Sequence, residues 1–269
     1  MDTRGELSID CERVRRLLVE FISGYCEQAG FGRAVIGLSG GLDSAVAALL
    51  TSQALGRGRL TCVIMPYGEL GAQAREDIEA IVTLAHAESV EIDVSEQIDA
   101  YFRRFPDADR HRRGNKMARE RMSILYDQSA ARGALVVGTS NRTEWLLGYF
   151  TLWGDMGAAL WPLASLYKTQ VRQMAGHLEV PQRIIEKPPT AGLWHGQTDE
   201  GELGVTYEEA DRILYRLVDL DLSAHQIAAE GFAQESVNRV IELMRRSDYK
   251  RRLPARPNLP QVAPEDDFI

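Results

Sequence analysis

An α/β fold, with a mostly parallel sheet and helices on both faces, is predicted by two features of the sequence. Short apolar runs bounded by glycine or turn residues alternate with longer segments of helical period, and those segments have the length of crossover helices. The 269 residues suffice for one large core. One principal domain over residues 1–257 is therefore expected, followed by a proline-rich, acidic tail over 258–269.

The elements follow in order. "CERVRRLLVEFISGYCEQAG" places Val14, Leu17, Leu18, Phe21, Ile22 and Tyr25 on one helical face and predicts a covering helix. "AVIGL" (34–38) is a buried strand candidate, and from Asp43 the Ala-rich "DSAVAALLTSQAL" predicts a helix packed closely on the sheet. "LTCVIM", "AREDIEAIVTLAHA" and "SVEIDV" predict strand, helix and strand; a helix beginning near Gly114 leads to a strand at "ALVVG" (134–138). Beyond Gly138 come two aromatic-rich turns and a helix from about Tyr167. "KPPTAGLWHGQTDEGELG" has neither period and carries four glycines and two prolines, so it predicts a long loop, and loops of that length usually serve function. Residues 207–218 and 234–247 read as helices, and no internal repeat is visible.

Composition narrows the functional classes. The formal charge of −8 counts against a broad nucleic-acid surface. Basic residues nevertheless gather over 103–116 and 245–256, either as solvated faces or as groups converging on a polyanionic small molecule. Neither a secretory signal nor a membrane-length apolar run is present, so the expected location is cytoplasmic, with no membrane partner. Cys11, Cys26 and Cys62 are odd in number and lack CxxC spacing, as expected of free thiols.

The chemistry concentrates in "VIGLSGGLDS". A strand, then Ser-Gly-Gly-x-Asp-Ser, then a helix turns backbone N–H groups toward the point that the helix N-terminus faces, an arrangement that binds phosphate. Gly40 and Gly41 give conformational freedom and close access, while Ser39 and Ser44 add hydroxyls. Asp43 would repel phosphate unless a cation such as Mg²⁺ lay between them; alternatively it caps the helix. The lysine of a P-loop and the GxGxxG pattern are both absent.

"SGGLDS" resembles the pyrophosphate loop of the N-type ATP pyrophosphatases, whose fold is the Rossmann-like adenine nucleotide alpha hydrolase type. Residues 10–257 resemble ammonia-dependent NAD synthetase in particular, through "GNKMARERM" (114–122), "GTSNRTEWLLGYFTLWGD" (138–155), "PLASLYKTQV" (162–171), "KPPTAGLWHGQTDEGELG" (187–204) and "YKRRLP" (249–254), in that family's order. The resemblance implies that ATP and nicotinic acid adenine dinucleotide form an acyl-adenylate and PPi, and that ammonia then displaces AMP to give NAD. It also implies a homodimer.

Site residues follow from the same resemblance. Ser39, Gly40, Gly41, Asp43 and Ser44 hold pyrophosphate, Asp43 and Glu144 hold Mg²⁺, and Lys168 and Thr190 reach the ATP phosphates. Arg119 and Thr139 attend the nucleotide, and Lys187 is placed with the substrate-binding residues. Tyr149, Phe150 and Trp153 offer stacking surface near Asp155, or else form an aromatic core cluster. Bland readings stand beside these: a first-turn helical carboxylate for Glu144, a surface lysine for Lys168, and a solvated Arg121. Ala159 stands where members of the family carry an acidic residue. His195 belongs to a loop expected to close over the site, which Asp199 and Glu200 would order, rather than acting as a base.

The competing readings are another pyrophosphatase-loop adenylating enzyme, either an amidotransferase synthetase or a tRNA thiolase, and a nucleotide-binding sensor. The thiolase calls for sulfur-handling cysteines and a basic RNA surface, and glutamine use calls for a further glutaminase domain. A sensor would not need Asp43, Glu144 and Lys168 together.

Overall fold

The computed structural model describes residues 5–194, 196–255 and 257. In chain order the elements are α1 Cys11–Gln28, β1 Ala34–Gly37, α2 Leu42–Leu55, β2 Leu60–Ile64, α3 Ala72–Leu84, β3 Glu88–Glu91, α4 Ser95–Phe102, α5 Arg110–Arg132 and β4 Leu135–Val137. There follow α6 Arg142–Leu147, α7 Lys168–His177, α8 Gln182–Ile185, α9 Asp199–Leu203, α10 Tyr207–Leu214, a π-helical turn Tyr215–Asp219, α11 Ala224–Ala229, α12 Gln234–Arg246 and a closing 3₁₀ turn Asp248–Arg251.

The four strands pair in parallel in the order β3-β2-β1-β4. Ala34 lies opposite Leu60 on one side and Leu135 on the other. Alternation along the strands divides the core. Ala34, Ile36, Leu60, Cys62 and Ile64 pack with α1, α2, α3 and α7 on one face. Val35, Val63 and Val136 pack with Ile98, Phe102, Met117, Met122 and Leu125 from α4 and α5 on the other. Both faces are thus dry, as parallel sheets require. A third apolar cluster joins Leu147, Tyr167 and Leu203 to α10, α11 and α12.

Strands β2 and β3 extend to one side of β1, whereas the chain returns through α4 and α5 to lay β4 on its other side. The ends of β1 and β4 therefore flank the point where strand order reverses, the crevice in which open α/β sheets take ligands.

Several sequence expectations are corrected. Helix α5 begins at Arg110, before Gly114, because the Asp109 carboxylate accepts the Arg112 N–H at 2.7 Å and caps it. Helix α1 buries only a narrow stripe: Ile22 and Cys26 are fully covered, while Leu17, Phe21 and Tyr25 are 54%, 46% and 39% exposed. The expected loop over 187–204 contains a short helix, α9. The expected tail at 258–269 lies outside the described residues, as does His195.

Candidate active site

A cavity of about 690 Å³ opens at the reversal point, within the size range of small-molecule sites. Its first wall is the turn after β1. Gly40 takes φ +73°, and a Cβ there would stand 3.3 Å from Ile78 Cγ1, so both conformation and space favour glycine. Ser39 and Ser44 brace the turn: their hydroxyl oxygens are 3.1 Å apart, Ser44 Oγ accepts the Ser39 N–H at 3.3 Å, and Ser44 Oγ–H donates to the Gly41 carbonyl at 3.0 Å.

The N-cap of α2 is Gly41, with no side-chain cap, so Asp43 is not the capping group. Its carboxylate instead accepts from Asn141 Nδ2 at 2.9 Å and from the Lys168 ammonium. Asn141 and Glu144 form a reciprocal capping box on α6, with Glu144 N–H donating to Asn141 Oδ1 at 3.0 Å. One Glu144 oxygen serves that cap, and the other meets Lys168 Nζ at 3.3 Å. Capping and the contact with Lys168 thus use different oxygens of Glu144.

Lys168 is not a surface lysine: its side chain is 4% exposed. Burial alone would discharge the amine. Asp43 and Glu144 outweigh that effect and raise its pKa above the ordinary lysine value, so it stays protonated. For Glu144, burial is the main cause of a rise to about 8; Lys168 opposes it, and the charges of Asp43 and Asp199 add to it. One ammonium is thus shared by two carboxyl groups that approach it from different elements.

The far wall is assembled from remote segments. Tyr149 OH lies 3.0 Å from Asp199 Oδ1 and 2.6 Å from Glu202 Oε2, and Gln197 donates to the same glutamate oxygen at 3.0 Å. Tyr207 donates to Asp199 Oδ2 at 3.0 Å, and Glu200 accepts the Tyr207 N–H at 2.9 Å, so both acids order the loop. Asp155 accepts the Thr151 N–H at 2.8 Å. Asp155 is exposed to the cavity, and desolvation by the cavity walls around it raises its pKa to about 6. Phe150 stacks on Trp145 with ring centres 5.7 Å apart, which supports core packing, while also lining the cavity. Trp153 is 59% exposed and lies outside the lining.

The structure brings Ser39, Gly41, Asp43, Ser44, Thr139, Glu144, Tyr149, Phe150, Asp155, Lys168, Lys187 and Thr190 to this one cavity. Gly40 shapes the turn from behind. Lys187 also meets Asp77 at 3.4 Å, beside the closer Arg183–Asp77 pair. Arg119 lies outside the lining and donates from Nε to the Leu152 carbonyl at 3.0 Å. Ala118, Arg121, Met122 and Leu125 line the cavity at helical spacing, so the phase of α5 turns Arg121 inward and Arg119 away. The apolar pair Met122 and Leu125 was the sequence signal for that phase.

Lys250 was missed as an individual residue. Its ammonium donates to the Gly148 and Phe150 carbonyls at 2.9 and 2.8 Å and lines the cavity. Ala159 is half-buried against the core, and its N–H donates to the Val136 carbonyl at 3.0 Å.

A braced Ser-Gly-Gly turn, an adjacent acid–lysine cluster and a strand-order reversal define a nucleotide-activating α/β enzyme. The chain belongs to the NAD synthase family, whose sequence profile matches residues 14–254. It is thus a member of a ligase family that forms a C–N bond. It is 45% identical over 250 residues to an NH₃-dependent NAD⁺ synthetase of Fusobacterium nucleatum, covering 93% of this chain and 97% of that one. The solved NMN synthetase of Francisella tularensis superposes with a TM-score of 0.83 at 34% identity, covering 94% of this chain and all of the other. A glutamine-dependent NAD⁺ synthetase of Acinetobacter baumannii, solved with ADP, gives a TM-score of 0.66 at 28% identity over 94% of this chain and 48% of its own. No helix among the described residues is long and apolar enough to cross a membrane.

Proposed function

We propose that the protein amidates nicotinic acid adenine dinucleotide with ammonia at the expense of ATP. The observation that carries this reading is the meeting of Asp43, Glu144 and Lys168 beside the braced turn. In the first step a substrate carboxylate oxygen attacks the α-phosphorus of ATP and the bond to the β-phosphate breaks, releasing PPi. The turn amides, with Ser39 and Ser44, hold the departing pyrophosphate, and protonated Lys168 and Thr190 neutralise or bind phosphate oxygens. In the second step unprotonated ammonia attacks the acyl carbon, AMP departs, and one proton passes to solvent.

Asp43 and Glu144 are the proposed Mg²⁺ ligands. The donor set fits a hard cation, being oxygen-only and carried by two carboxyl groups that face one point. Among the described residues no three His, Cys, Asp or Glu side chains form a closed cage. That suits an ion that keeps waters and phosphate oxygens as ligands. When bound, Mg²⁺ withdraws charge from those phosphate oxygens.

Thr139 and Arg121 flank the nucleotide, and Tyr149, Phe150, Asp155, Lys187 and Lys250 form the proposed wall for the nicotinate-bearing substrate. Residues 187–194 and Gln197 line the cavity and would shield an acyl-adenylate from water. The exposed Leu17, Phe21 and Tyr25 face of α1 supports a homodimer. A cytoplasmic location goes with this substrate set.

The resemblance to an NMN synthetase, together with Ala159 at a departure from the family pattern, favours testing the corresponding acid mononucleotide as a second substrate. Purified protein is given ATP, Mg²⁺, ammonium and either acid, and amide product, AMP and PPi are quantified with each substrate omitted in turn. Equal yields of NAD, AMP and PPi support the proposal. Turnover of the mononucleotide alone moves the substrate assignment, and ATP cleavage with neither acid overturns the reading.

A further inference from the structure

Lys168 occupies the first position of α7, where the positive end of a helix opposes a cation. It is also buried, and its ammonium must meet two acids borne on other elements. One face of α10 holds it at both ends. Tyr207 puts its ring 5.0 Å from Lys168 Nζ. Four residues on, and so on the same face, Asp211 is fully buried beneath the start of α7.

Asp211 Oδ2 accepts the Thr169 N–H at 2.8 Å, and Oδ1 accepts the Thr143 hydroxyl. Thr143 Oγ1 in turn accepts the Lys168 N–H at 2.9 Å. Thr143 is the neighbour of Glu144 on α6. The chain of hydrogen bonds therefore fixes the helix that carries Glu144 against the helix that carries Lys168. A second acid repeats the device at the outer edge, since Asp219 accepts from Arg142 Nη2 at 2.6 Å and from Tyr167 OH at 2.5 Å.

We infer that Tyr207 and Asp211 are positioning residues for Lys168, with Asp211 setting its backbone through Thr143 and Thr169 and Tyr207 supporting its ammonium. Neither touches the reacting atoms. The buried carboxylate offsets the helix dipole at the lysine, and the relay sets the distance between the two site helices. The inference rests on Lys168 acting on ATP, as proposed above.

The test is a double-mutant cycle on the full chain, using Asp211→Asn and Lys168→Ala, with Mg²⁺·ATP affinity by calorimetry and the rate of amide formation as readouts. An asparagine keeps the volume and an acceptor for the Thr169 N–H, but it removes the carboxylate charge beneath the lysine and reverses the bond to Thr143, whose hydroxyl must then accept rather than donate. With Lys168 present, Asp211→Asn should weaken ATP binding and lower kcat by about 10-fold each; with Lys168→Ala the same change should cost less than about 2-fold. Thr143→Val keeps the side-chain shape and should reproduce the pattern, which carries the test if Asp211→Asn does not fold. Equal effects in both lysine backgrounds, or a lowered Tm with unchanged ATP affinity and kcat, overturn the inference. If the unmodified chain binds ATP but makes no amide, the functional reading fails while the affinity cycle still decides the positioning role. Absence of ATP binding overturns both.

Discussion

The two walls of the cavity are built by different means. The wall proposed to hold phosphate is local: Ser39, Gly41 and Ser44 lie within six residues and brace one another through hydrogen bonds spanning no more than five positions. The opposite wall is remote: Lys250 reaches the Gly148 and Phe150 carbonyls across 102 and 100 residues, and Tyr149 reaches Asp199 across 50. A local wall is set once β1 and α2 pack, whereas a remote one exists only when the C-terminal helices have docked. Phosphate handling and recognition of the second substrate should therefore respond separately to substitution.

The largest effect is expected where the walls meet. Lys168→Ala should lower kcat by about 10³-fold by removing a fixed positive charge from the site. It also leaves Asp43 and Glu144 without their common cation, a loss of about 3–5 kcal/mol for a buried pair. The variant should melt lower than the parent in Mg²⁺-free buffer and recover part of the difference when Mg²⁺ is added. Differential scanning calorimetry with and without the ion checks this, and identical Tm values would remove the lysine from its place as the resident counter-charge.

A smaller and more selective loss is expected from the remote wall. Lys250→Met leaves two carbonyls without their donor and loosens the segment that carries Tyr149 and Phe150. KM for the nicotinate substrate should rise about 10-fold while KM for ATP moves less than about 2-fold. Equal rises in both constants would show that the walls are one cooperative unit.

This division also governs what the sequence revealed. The strands, the Ser-Gly-Gly turn and the place of Glu144 and Lys168 were legible because apolar periodicity, turn residues and ordered motifs are local signals. The roles of Asp211, Tyr207 and Lys250 were not, since each depends on a partner tens of residues away and carries no mark of that partner in its own segment. Arg119 shows an intermediate case: it shares a motif with Arg121, but helical phase turns only the latter toward the cavity. For α1, periodicity found the apolar face and could not say how much of it the core would cover.

Asp155 sharpens the contrast through pH. Desolvation raises its pKa to about 6, so it is ionised above that value and protonated below it. If its charged form binds substrate, kcat/KM for the nicotinate substrate should fall as pH drops through about 6, and Asp155→Asn should flatten that limb while other titrations remain. Stability runs the opposite way. A carboxyl whose folded pKa is raised stabilises the fold fully below the unfolded value near 4, and that contribution is lost as pH rises through 6. A limb unchanged in Asp155→Asn would assign it to another group.

The smallest effect on the folded subunit is expected on α1, where neither wall is involved. Phe21 is 46% exposed and pairs with Tyr25 at a ring separation of 6.2 Å, so Phe21→Ser removes little that the monomer buries. Stability of the isolated subunit should change by no more than about 0.5 kcal/mol, as for surface positions generally. If this face joins two copies, the change appears instead in assembly, because an apolar contact used twice in a two-fold interface is lost twice. Light scattering across a dilution series should then show the parent as a dimer and the variant dissociating at higher concentration, with ATP affinity intact. A parent that stays monomeric throughout would leave the exposed ring as a feature of the single subunit and remove the argument for assembly through α1.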